Sequence, residues 1–167
     1  IDRFLGACAR TDRAKAERLL AGRPGLLERL ADGGRAGIVD AAEYLGTPAV
    51  RLMLELGFPM DARRAGDGAT ALHAAAYCGR AELVRLLIER GADTGARDAA
   101  FDSTALPWAT VGSGERPHHG QQPDWVATVQ ILLDAGASSE DAWIASKPPS
   151  EEVAALLHAY GIGADDG

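Results

Sequence analysis

Three of the chain's four histidines stand where their neighbours invite chemistry. His73 closes the run Thr70-Ala71-Leu72-His73, where an imidazole beside a hydroxyl could act as a base or a metal ligand. His118 and His119 lie between Glu115 and Asp124 in a Gly/Pro/Gln-rich stretch, and all four side chains are of metal-ligating type. A metal site needs a rigid frame, which adjacent histidines in a flexible loop lack, so no metal and no other cofactor is expected. Glu151 and Glu152 are paired carboxylates, but they open an apolar-periodic run. There they suit the positive end of a helix better than acid–base work. Cys8 and Cys78 are far apart, each in a helix-like segment, and are expected as two buried, unlinked thiols. The chain has no phosphate-cradling glycine loop, nucleophile elbow or Cys-x-x-Cys pair. No residue is therefore assigned a catalytic role.

The elements that position these residues repeat along the chain. Val84-Arg-Leu-Leu-Ile-Glu-Arg-Gly91 echoes Val50-Arg-Leu-Met-Leu-Glu-Leu-Gly57 at a spacing of 34, and Val129-Gln-Ile-Leu-Leu-Asp-Ala-Gly136 follows 45 residues later. Thr70-Ala-Leu-His-Ala-Ala recurs as Thr104-Ala-Leu-Pro-Trp-Ala, again 34 residues on. The longer third interval is thus one repeat plus 11 residues, all between Thr104 and Val129. Each unit reads as helix, turn, helix and a polar Gly/Asp-rich excursion. Ala71–Tyr77 is a short Ala-rich helix ended by Gly79, and Glu82–Arg90 carries Leu83, Val84, Leu86 and Leu87 at helical spacing before Gly91. One such pair cannot bury its apolar face alone, whereas stacked pairs can.

The run Asp67-Gly-Ala-Thr-Ala-Leu-His-Ala-Ala-Ala-Tyr-Cys-Gly79, then Leu83-Val-Arg-Leu-Leu87 and Gly91-Ala-Asp93, resembles the ankyrin repeat almost position for position. The resemblance implies an all-α solenoid of stacked helix-turn-helix units with projecting hairpin fingers. It implies that His73 bonds to Thr70 of its own motif and to the neighbouring loop backbone. Residues 1–33 are expected as an N-terminal cap, 34–63 as a degenerate repeat, 64–97 as the full repeat and 98–139 as a repeat carrying a 112–124 insertion. A C-terminal cap over 140–161 and a tail over 162–167 complete the division. In the degenerate unit Gly37-Ile-Val-Asp-Ala-Ala42 stands at the motif, and one residue is missing between Gly46 and Val50. In the third unit Pro107 replaces the histidine.

Composition narrows the partner class. A net charge of −7 argues against nucleic acid and against anionic membrane surfaces, both of which need a positive field. No apolar run reaches membrane-spanning length and no signal peptide is visible, so a cytoplasmic protein is expected. The chain starts at Ile1, which leaves room for a segment upstream. Lys15 and Lys147 are the only lysines, in keeping with a GC-rich genome, and the chain reads as a small bacterial-type member of the family it resembles.

The leading expectation is a scaffold that binds a protein partner through fingers and inner helices. The expected contacts are Arg63, Arg64, Asp67, Tyr77, Arg97, Phe101 and Trp108, with Phe101 an aromatic anchor flanked by arginine. Tyr44 occupies in the degenerate unit the place that Tyr77 holds in the full one. The second expectation is a small-molecule site or enzyme pocket between the concave face and the 112–124 insertion. Tyr44, Glu115, Arg116, His118 and His119 would supply its pocket or lid.

Overall fold

The structure, a computed structural model, describes residues 2–32, 37–117, 122–140, 142–144 and 146–163. These residues contain helices and no strand. The order is α1 (Asp2–Ala9), α2 (Arg13–Ala21), α3 (Leu26–Asp32) and α4 (Gly37–Asp40), which runs on as a π-turn over Ala41–Leu45. Then follow α5 (Thr47–Glu55), α6 (Ala71–Tyr77), α7 (Ala81–Glu89), α8 (Ala105–Glu115), α9 (Trp125–Asp134) and α10 (Glu151–Ala159). The inner helices α4, α6 and α8 pack in sequence, and the outer helices α5, α7, α9 and α10 follow the same order behind them.

The repeat sets the core. Val50, Val84 and Val129 occupy one position of the outer helix, and Met53, Leu87 and Leu132 another; all six are fully buried. Equivalent burial of equivalent residues is what a stack of units sharing one continuous core requires. Cys8 and Cys78 are buried and unlinked, and burial pushes both thiols up to about 11. That keeps them protonated and poorly nucleophilic.

Two departures from regularity have local causes. The residue missing before Val50 shortens the inner-to-outer turn. Gly46 N–H closes onto the Ala41 carbonyl at 2.9 Å, and the helix end widens into the π-turn. The full repeat makes the same five-residue closure, Arg80 N–H to the Ala75 carbonyl at 3.0 Å, but there it follows Gly79, which ends the helix at φ +63°.

The stretch 112–124, expected as an insertion, begins within a helix. The inner helix α8 continues to Glu115, with Gly112 and Ser113 buried inside it. A Cβ at Gly112 would strike the Tyr77 carbonyl, so glycine allows α8 to press against the end of α6. Ser113 returns its hydroxyl to the Thr110 carbonyl at 2.6 Å and accepts Ser150 N–H at 2.9 Å, tying α8 to the start of α10. Arg116 ends the helix in the left-handed conformation, φ +51°. Of the non-helical remainder, Asp124 caps α9 and Asp124 N–H bonds the Gly79 carbonyl at 2.8 Å. Trp125 donates from its indole to the Tyr77 carbonyl at 2.9 Å.

Candidate functional site

The two loops that follow α5 and α7, residues 61–68 (the first finger) and 93–103 (the second), are held together by their own polar groups. Arg63 donates to the Gly68 carbonyl at 3.0 Å within the first finger, and to the Arg97 carbonyl at 2.7 Å in the second. Thirty-four positions on, Arg97 repeats the first of these contacts by donating to the Asp102 carbonyl. Arg64 is clamped between Asp67, at 2.7 Å, and Glu43 of the π-turn, with Asp40 at 3.6 Å. These hydrogen bonds and charges, Asp67 first, hold the guanidinium firmly protonated. The Asp67 carbonyl accepts Ala99 N–H at 2.7 Å, so the second finger rests on the first.

His73 locks α6 to the second finger. Its Nδ1 accepts Thr70 N–H at 3.2 Å and sits 2.8 Å from the Thr70 hydroxyl, while Nε2 donates to the Ser103 carbonyl at 2.9 Å. The ring is 1% exposed, and burial lowers its pKa from 6.5, so the folded state holds a neutral imidazole. With both nitrogens engaged in backbone and hydroxyl bonds, His73 serves as a clasp.

Asp98 organises the finger tip. Its carboxylate accepts Ala100, Phe101 and Ser103 N–H at 2.8, 2.7 and 3.1 Å and the Trp108 indole N–H at 3.0 Å. Burial raises its pKa, but the bonds from Phe101, Trp108, Ser103 and Ala100 outweigh it, and the net shift is downward. This carboxylate both shapes the loop and orients the indole, and the loop it shapes leaves Phe101 71% exposed.

The indole forms the floor of a groove of about 500 Å³. Tyr77 and Phe101 both stand edge-on to Trp108, ring centroids 6.0 and 6.3 Å away, at steep interplanar angles. Pro107 and Val111 of α8 add apolar surface, and Ile144, Ser146 and Lys147 form the facing wall. At one end the Tyr77 hydroxyl donates to Glu115 at 2.6 Å, and Lys147 pairs with the other Glu115 oxygen at 2.6 Å. Lys147 and then Tyr77 hold the Glu115 carboxyl below its usual range. Burial and the neighbouring carboxylate raise the Tyr77 phenol.

Of the residues singled out from sequence, the groove brings together Tyr77, Phe101, Trp108 and Glu115. Arg63, Arg64, Asp67 and Arg97 lie in the finger bonds. Tyr44 is exposed and outside the groove, Arg116 faces the α9–α10 side, and His118 and His119 lie outside the described residues. The facing wall comes from Ile144, Ser146 and Lys147, while the described part of the insertion contributes Glu115. Sequence reasoning missed Ile144 and Lys147 because their segment has neither periodicity nor motif. Among the described residues no three His, Cys, Asp or Glu side chains converge as a metal site, and no helix is long and apolar enough to cross a membrane.

Residues 53–106 match the family model described as ankyrin repeats (many copies). The matched stretch runs from α5 through α6, α7 and the second finger into α8, so it includes the His73 clasp and the Phe101 side of the groove. No curated protein matches the chain significantly.

Proposed function

We propose that this chain is a cytoplasmic protein-interaction module that seats a segment of a partner in the groove between Tyr77, Trp108, Phe101 and the wall of Ile144, Ser146 and Lys147. Ankyrin repeats are generally protein–protein interaction modules. The carrying observation is Phe101, a large apolar side chain held out in solvent by a loop whose geometry Asp98 dictates. Exposed aromatic rings beside a preformed apolar groove are typical anchors for a partner. The frame is already ordered by its finger bonds, so little conformational entropy is lost on binding.

The groove volume also lies within the range of about 300–1,000 Å³ usual for small molecules. Its rim favours an extended occupant: besides Phe101, the Lys147 and Glu115 side chains are 54% and 40% exposed, which leaves a compact ligand poorly enclosed. Affinity capture from source-organism lysate tests the reading. Wild type should retain a protein that Phe101→Ala/Val111→Asp loses and Tyr44→Ala keeps. Equal recovery by wild type and the groove variant would remove the groove from the interaction.

A further inference from the structure

The hydrogen-bonding state of the groove points to the chemistry of what fills it. The polar hydrogens of Trp108 and Tyr77 are already spent, the Trp108 N–H on Asp98 and the Tyr77 O–H on Glu115. These two rings therefore offer a ligand π surface and no donor. Each of the two rings has a carboxylate behind it. Asp98 is 3% exposed and satisfied by N–H donors, and among the described residues no ion pair to it occurs. Rings whose N–H or O–H bonds to an anion become richer in electrons, and their faces attract cations more strongly.

The arginines near the site do not supply that cation. Arg63 and Arg97 are engaged by finger carbonyls. Lys147 reaches only the end of the groove, where its ammonium rests on Glu115. The net charge of −7 adds a field that draws positive segments in.

We infer that the groove takes an arginine side chain of a partner peptide, its guanidinium stacked on the Trp108 ring, its alkyl stem against Phe101 and its edge turned to Glu115. Arginine suits the site better than lysine because a planar, weakly hydrated guanidinium can lie on a ring and still direct N–H groups at a carboxylate. Glu115 can accept such a bond, since each oxygen carries one partner and keeps a lone pair. Lys147 then competes with the ligand for the same carboxylate. This inference rests on the groove being the partner site.

The test uses fluorescein-labelled nonapeptide pools with a fixed central residue and randomised flanks, read by anisotropy against the whole chain. The central residue is arginine, its uncharged isostere citrulline, leucine or glutamate. The arginine pool should bind about tenfold tighter than the citrulline pool. Phe101→Ala, which keeps the net charge, should remove about that factor, and Lys147→Ala should tighten arginine binding about threefold. If arginine and citrulline pools bind alike and both weaken in Phe101→Ala, the groove stands as the partner site and the arginine inference falls. If the arginine preference survives Phe101→Ala unchanged, it reflects surface charge and the inference falls as well. If no pool responds to Phe101→Ala, both readings fall.

Discussion

The inner helices α6 and α8 descend from the same repeated segment and do different work. In α6 the fourth motif position is His73, which reaches forward and clasps the Ser103 carbonyl of the next finger. In α8 the same position is Pro107, which has no side-chain donor to give. The next residue, Trp108, turns back to Asp98 of the finger already formed and covers the floor of a groove. At the far end of α6 the helix stops at Tyr77 and turns through Gly79. At the equivalent place in α8 stand Gly112 and Ser113, and the helix continues to Glu115. Losing one clasp and gaining one turn of helix converts a stacking unit into a wall with a recess. The difference teaches that the scaffold is built by residues that reach between units, and the site by the unit that has stopped doing so.

The comparison can be broken most severely at Gly112. Gly112→Val should destabilise the chain by about 3 kcal/mol, because the new side chain collides with backbone at Tyr77 that cannot yield. Urea unfolding measures it, and a change under about 0.5 kcal/mol would mean that the two helices are not pressed together there.

His73→Ala comes next, at about 2–3 kcal/mol, since it removes a buried ring and leaves the Ser103 carbonyl without its donor. The clasp also carries a pH signature. Folding lowers the His73 pKa from 6.5, so below that value the unfolded chain binds the extra proton. Stability should therefore fall as pH drops below about 6.5, by at most about 1.4 kcal/mol per unit for this one group. Melting curves of wild type and His73→Ala over pH 7.5 to 5 should show a shallower decline in the variant; parallel declines would assign the effect elsewhere.

Asp98→Asn should cost about 1–2 kcal/mol by weakening the bonds that shape the finger. It should also free the Trp108 indole, visible as a displaced indole proton resonance. An unmoved resonance would deny Asp98 its hold on the groove floor.

Phe101→Ala sharpens the contrast from the other side. As an exposed side chain it should change stability by less than about 0.5 kcal/mol, although the proposed partner contact depends on it. A large loss of stability would make Phe101 a packing residue.

Much of the scaffold was legible in the residues. Leu83, Val84, Leu86 and Leu87 announced their helix by spacing, Gly79 its end, and the Thr70–His73 pair its clasp through the resemblance of its motif. The candidate site was legible only in pieces. Tyr77, Phe101, Trp108 and Glu115 were each singled out, but for two different surfaces. The arginines beside Phe101 looked like partner contacts because a guanidinium in a polar loop has the same sequence signature whether its acceptor is a ligand or the loop itself. Gly112-Ser113-Gly114 read as loop for a similar reason: low helix propensity is local, and the bonds and close packing that override it come from Thr110, Tyr77 and Ser150.

The order of residues thus determined what depends on periodicity: the pairing of the helices, the buried valine and leucine positions, and the polar excursions between them. A repeat states its contacts over and over, one unit away, so the pattern can be read along the chain. The tertiary structure alone decided what is built where repetition lapses. It carried α8 to Glu115, tied Ser113 to Ser150 and paired Lys147 with Glu115, because those contacts join segments with no shared period and exist only once the stack has folded.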